Sequence, residues 1–472
     1  MASLGPVPRM NYASTRGDAP VLEFTDVLLE GLALDGGLYI AERWPTITSG
    51  DLRNFATLSY AEVAFRVLRP FVGGTIPDDD FEGMLHEAYG TFRHDEVVPL
   101  SALGESEHLV ELFWGPTLSF KDVALSLIGN LFEYELTRRD DRVTIVGATS
   151  GDTGSAAIEA CRDRDGIQLV MLHPRGRVSD VQRLQMTTVE SSNIHNVAVD
   201  GTFDDCQDLV KAMFADRSFR ERNRLSAVNS INWARVAAQT VYYVTSAVRL
   251  GAPDRAVSFS VPTGNFGNVM AGHIARTMGV PIDQLVIASN TNDILTRTHE
   301  TGVMTMDEVA PTISPAMDIQ VSSNFERLLF ELQGKNGLAL GQDMVDFRAS
   351  GALSLEPGVI DALRSQFDAG RATETDVTET MCSIHDDFGM LIDPHTAVGV
   401  SVGRRLRRDK SIPMGFLSTA HPAKFGEAVV GATGVEPQLP AFLADLESRP
   451  ERCASLPNDL AAIEAHVEAV TA

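Results

Sequence analysis

Short apolar runs alternate with longer mixed stretches through the middle of this chain, and the runs end in turns rich in glycine and hydroxyl residues. Val143–Val146 leads into Gly147-Ala-Thr-Ser-Gly-Asp-Thr-Gly154, and a helical pattern then continues through Cys161. Gln168–Leu172 reads as the next strand. Val257–Val261 leads into Pro262-Thr-Gly-Asn-Phe-Gly-Asn268 and a helix through Met278, with Leu285–Ser289 as the strand after it. Pro413–Leu417 is a late strand before Ser418-Thr-Ala-His-Pro422. Strands alternating with helices predict an α/β fold with parallel sheets. The N-terminal region differs: Tyr60–Leu68 and Phe81–Tyr89 read as helices of a separate cap. Leu439–Val470 also reads as helical, broken at Pro450.

Length and charge sharpen this picture. A chain of 472 residues is too long for one ordinary core and predicts two or three domains. Its 39 basic against 64 acidic residues give a net charge of −25, which disfavours nucleic acid and anionic membranes as partners. An anionic ligand would therefore need a dedicated cation. The one dense basic run, Arg404, Arg405, Arg407, Arg408 and Lys410, follows the apolar Ala397–Val402, so it reads as the end of a helix, where the dipole favours cations. Cys161, Cys206, Cys382 and Cys453 are scattered, and imply neither a disulfide framework nor a zinc knuckle. Met1–Arg16 lacks a signal core, and Val236–Val248 is too short to span a bilayer. A cytoplasmic enzyme is the expectation.

Four segments carry candidate chemistry. In Gly115-Pro-Thr-Leu-Ser-Phe-Lys121-Asp122 a lysine follows an apolar run halted by Gly-Pro. Desolvated there, it would be a nucleophile toward an aldehyde; as a surface residue it would only open the helix Asp122–Leu131. Gly264-Asn-Phe-Gly267-Asn268 sits between a strand and a helix, where backbone amides and the helix dipole suit a phosphate, or simply make a tight turn. Thr149-Ser-Gly-Asp-Thr-Gly154 has the same placement and could hold an anion or merely cap a helix. Asp152 is awkward beside an anion, so its side chain is expected to point elsewhere. In Asn229-Ser-Ile-Asn232-Trp-Ala-Arg235, Ser230 could cap a helix that places Asn232, Arg235 and Gln239 on one face. That arginine needs either an internal carboxylate or a bound anion. His395 reads as a structural histidine, and Ser323-Asn-Phe-Glu326 fits a capping box.

Taken together these segments resemble the threonine synthase family, within the tryptophan-synthase-β-like group of pyridoxal-phosphate enzymes. Asn11-Tyr-Ala-Ser-Thr-Arg-Gly17 and Asp35-Gly-Gly-Leu-Tyr39 resemble its N-terminal region, and residues 1–9 precede it. The resemblance implies Lys121 as the Schiff-base residue. Gly264, Asn265, Phe266, Gly267 and Asn268 resemble the cofactor-phosphate loop, and Thr419 the hydroxyl at the pyridine nitrogen. Thr117, Thr149, Ser150, Gly151, Asp152, Thr153, Asn232 and Arg235 match substrate-side elements. Many relatives carry asparagine in place of Asp152, and the aspartate points to the microbial branch. The implied fold has two parallel-sheet α/β domains with a helical N-terminal cap. The cap would take residues 10–96, a large cofactor domain 97–140 and 245–435, a small mobile domain 141–244, and a C-terminal helical segment 436–472. The implied reaction converts O-phospho-L-homoserine and water to L-threonine and phosphate, without a metal, in a monomer or homodimer. A related dehydratase or lyase, or a non-catalytic nucleotide-binding module, are the rival readings. The module leaves Lys121 unexplained, and the long cap with the Asn232/Arg235 face argues against a dehydratase.

Overall fold

Two parallel sheets organise the chain. The computed structural model describes residues 5–226 and 230–471, so Asn229 of the fourth motif lies outside the described residues. The large sheet runs in the order Asp368–Arg371, Ile282–Ser289, Val257–Pro262, Met414–Ser418, Glu107–Glu111 and Leu100–Ala102. Its pairs are parallel except the last, where Leu100–Ala102 turns back on Glu107–Glu111. The small sheet is wholly parallel, in the order Ala454–Pro457, Ile194–Asp200, Ile167–Pro174, Val143–Ala148 and Leu225–Ser226. The predicted strands all form, and the α/β expectation holds. Parallel strands buried on both faces read as near-continuous apolar runs, which is why they were visible in the sequence.

The N-terminal cap combines a small antiparallel sheet (Asn11–Ser14, Leu22–Glu23, Tyr39–Ala41) with helices that include Tyr60–Val72 and Asp78–Gly90. Ser59 and Glu62 close a full capping box at the first of these helices. The cap is anchored through Trp233, which is fully buried against Tyr12, Trp44 and Phe71. Among the described residues, no helix is long and apolar enough to cross a membrane.

Two segments depart from the expected division. The helix Trp233–Arg249 was expected, up to residue 244, in the small domain. It packs instead against the cap helix Tyr60–Val72 and the helices Lys121–Arg139 and Gly267–Met278. It is apolar on nearly every side, and such a helix has to be covered all round. The C-terminal stretch is not simply helical either. After 3-10 turns, Ala454–Pro457 adds an edge strand to the small sheet, and the helix Leu460–Thr471 buries Ile463 and Val467 with Val197 and Val199. Four strand residues between turns carry too little periodicity to stand out in sequence. The basic run does close a helix, Pro394–Leu406, and Arg404 and Arg407 both pair with Glu107.

Candidate active site

The carboxyl ends of both sheets open onto one cavity of about 760 Å³, the usual place for a ligand in open parallel sheets. Its wall includes Lys121, Thr149, Ser150, Asp152, Thr153, Arg235, Gly264, Asn265, Phe266, Gly267, Asn268 and Thr419. Segments far apart in sequence thus meet at one place.

Lys121 is the first residue of the helix Lys121–Arg139 and is buried. The preceding Phe120 donates its N–H to the Thr419 carbonyl at 2.9 Å, which ties the lysine to the end of the strand Met414–Ser418. Its Nζ lies 3.2 Å from Asp152 Oδ2 and 4.9 Å from the centre of the Phe120 ring. Burial pulls its pKa below the ordinary lysine value, Asp152 opposes that, and Lys424 and Arg235 reinforce it. A lysine so placed releases its proton more readily than one in water, and is a better nucleophile and base.

Asp152 lines the cavity, but its carboxylate is engaged by cations. Its carboxylate receives Lys121 Nζ, Lys424 Nζ at 2.9 Å and Gln182 Nε2 at 2.8 Å. Burial alone would raise its pKa, but the two ammonium groups outweigh that and hold it well below the usual carboxylate range. Sequence reasoning missed Lys424. The signal lay in Pro422-Ala-Lys-Phe425, where a lysine stands among apolar residues just beyond a core strand. It is 1% exposed and also donates to the Thr117 carbonyl at 2.7 Å.

The 264–268 loop forms a cradle at the start of the helix Gly267–Met278. A Cβ on Gly264 would lie 2.8 Å from the Ala316 carbonyl oxygen, so only glycine fits there. Phe266 has φ 61°, the left-handed region, at a strain of order 1–3 kcal/mol for a residue other than glycine. Its ring is buried against Phe325 and Phe367, which fixes that conformation. Asn324 Nδ2 donates to the Asn265 and Ser230 carbonyls, and Arg327 reaches Tyr39 and Ile231 carbonyls. The loop is thereby braced to the cap and to the segment before Trp233.

Two wall residues carry buried donors without partners. Arg235 is 3% exposed, and its Nε and one terminal nitrogen have no hydrogen-bond partner among the described residues. Burial lowers its pKa to about 10, and it remains a cation at neutral pH. No carboxylate pairs with it, so the internal ion-pair alternative fails among the described residues. The Asn268 amide accepts from Tyr242 and Tyr243 through Oδ1 and leaves its Nδ2 free. Unsatisfied buried donors are costly, and these face a cavity that an anionic ligand could fill. This donor set fits the phosphate of pyridoxal phosphate together with an anionic substrate.

Some expected residues stand behind the wall. Asn232 is the helix cap that had been expected at Ser230: Oδ1 accepts from Ala234 N and Nδ2 donates to the Leu28 carbonyl, so neither end is available to a ligand. Thr117 and Gly151 are also outside the lining, and the Thr117 hydroxyl is bound to Asp122. Gln239, on the arginine's face, does reach the cavity. Ser323 and Glu326 form no capping box; Glu326 instead accepts from Thr15 and Arg16 of the N-terminal motif. His395 bonds Asp393 through Nδ1 and accepts the Ala316 N–H at Nε2, and it also lines the cavity.

Three family models cover most of the chain: the threonine synthase N terminus matches residues 11–89, the pyridoxal-phosphate dependent enzyme model residues 100–342, and the threonine synthase C-terminal model residues 396–467. A threonine synthase from Pseudomonas aeruginosa is 54% identical, over 97% of this chain and 98% of its own length. The chain belongs to the threonine synthase family. The threonine synthase of Corynebacterium glutamicum is 43% identical, with 97% of this chain and 98% of the relative covered. Among solved structures, a PLP-bound threonine synthase from Brucella melitensis superposes with TM-score 0.96 at 53% identity, covering 98% of this chain and 99% of that one. Yeast threonine synthase gives TM-score 0.92 at 39% identity, with 98% of each covered. The chain is thus a pyridoxal-phosphate-dependent lyase of threonine biosynthesis, and its fold is that of the fold type II group.

Proposed function

We propose that this chain converts O-phospho-L-homoserine and water to L-threonine and phosphate in the cavity between its two sheets. The observation that carries the reading is a buried Lys121, its pKa pulled below the ordinary lysine value, in the same cavity as a buried Arg235 that has no carboxylate partner among the described residues. We assign Lys121 as the cofactor's covalent anchor, Gly264–Asn268 as the cradle of its phosphate, and Thr419 as the hydroxyl beside its ring nitrogen. Bound pyridoxal phosphate supplies an electron sink that acidifies hydrogens along an attached amino acid.

The residues then have distinct tasks. Substrate carries phosphate on Cγ, whereas product carries a hydroxyl on Cβ. Cβ must therefore lose a hydrogen, and Cγ must gain one. Lys121 is the group placed to take and return those protons. Arg235 meets an anionic group of the substrate, and Thr149, Ser150 and Thr153 line the side from which the small sheet contributes. The acidic surface disfavours nucleic acid, and four free cysteines suit a cytoplasmic enzyme.

Turnover in oxygen-18 water tests this reading. The label is expected in the threonine hydroxyl, with unlabelled phosphate released by carbon–oxygen cleavage. Label in phosphate, with homoserine as the product, would mark a phosphatase instead.

A further inference from the structure

Asp152 meets two ammonium groups where one would satisfy the reaction. Lys121 approaches Oδ2 at 3.2 Å, and Lys424 approaches the other oxygen, Oδ1, at 2.9 Å. Lys424 has no exposed side-chain surface and does not line the cavity, so it cannot meet substrate directly. Its second bond, to the Thr117 carbonyl, fixes it to the loop that precedes Lys121.

We propose that Lys424 is a positioning residue: its buried ammonium keeps Asp152 ionised and paired while Lys121 gains and loses a proton. The inference rests on Lys121 being the anchor and base. If Asp152 faced Lys121 alone, every proton leaving Lys121 would strand a buried carboxylate, which is strongly unfavourable. Asp152 would then hold the proton on Lys121 and blunt it as a base. With Lys424 in place the carboxylate is always compensated, and Lys121 can cycle. The other charged groups around the pair agree. Arg235, from the helix Trp233–Arg249, adds a further cation that favours proton loss from Lys121. Asp122, one residue along, is buried and pushed up to about 6, which removes much of its negative charge from the balance near that pH. His421 beside Lys424 is depressed to about 4 by burial and stays neutral. Gln182 donates to Asp152 without a charge.

The test is a titration of the holoprotein's visible band, whose midpoint reports protonation at the Lys121 nitrogen. Removing the cation in Lys424→Met leaves Asp152 to stabilise the protonated nitrogen, so the midpoint should rise by about one pH unit or more. Lys424→Arg keeps the charge and should leave the midpoint near that of the parent. Asp152→Asn leaves Lys424 and Arg235 uncompensated and should lower it. That variant decides the matter if Lys424→Met does not fold. A folded Lys424→Met protein with an unmoved or lowered midpoint overturns the proposal, as does an unmoved or raised midpoint in Asp152→Asn. Reductive labelling of the same samples separates the two ideas: a tag away from Lys121 sinks the anchor assignment, whereas a tag on Lys121 with a midpoint that fails to move sinks only the role of Lys424.

Discussion

Lys121→Ala is expected to fold and to lose activity by about 10²–10⁴-fold or more, the usual range for a positioned general base, together with its visible cofactor band. Folding should survive because Asp152 keeps Lys424 and Gln182 as partners, so no buried carboxylate is abandoned. The same substitution at an isolated buried pair would cost several kcal/mol. Steady-state rates, absorption spectra and thermal melts on one preparation check all three statements. A Lys121→Ala protein that keeps both colour and turnover would place the chemistry on another residue.

The second large effect concerns Arg235, where function and stability should part. Its guanidinium is buried without a carboxylate partner among the described residues, so the ligand-free protein gains little from its charge. Arg235→Met should therefore melt no lower than the parent when ligands are absent, and higher if relief of desolvation dominates. Yet kcat/KM for phosphohomoserine should fall about ten- to a hundredfold, the equivalent of roughly 1.5–3 kcal/mol for a charge-assisted hydrogen bond. An unchanged kcat/KM would make the arginine structural. A large loss of stability with normal kinetics would mean that the folded chain itself satisfies it.

The parts of this site that the sequence disclosed are those in which residue type and local position agree. Strands of the parallel sheets are continuous apolar runs, and the loops after them hold glycines at turns that exclude a Cβ, as at Gly264. Lys121 stood out because a lysine inside an apolar stretch needs a reason. What stayed hidden depends on contacts across long sequence separations. Asn232 had the right spacing for the ligand face, but its place one residue before the helix turned it into a cap. Glu326 matched a local capping pattern, yet its partners Thr15 and Arg16 lie some three hundred residues away. Lys424 joins Asp152 across a similar gap, so no local window contains the pair. The edge strand Ala454–Pro457 shows itself only through its partner Ile194–Asp200.

The two lysines on Asp152 also supply the most direct test of the site assignment. Borohydride reduction of the pyridoxal-phosphate-loaded protein, followed by peptide mapping, marks whichever lysine carries the cofactor. The burial, depressed proton affinity and cavity position of Lys121 predict the mark there, with Lys424 unmodified. A mark on Lys424, or on any lysine outside the cavity, would contradict the account.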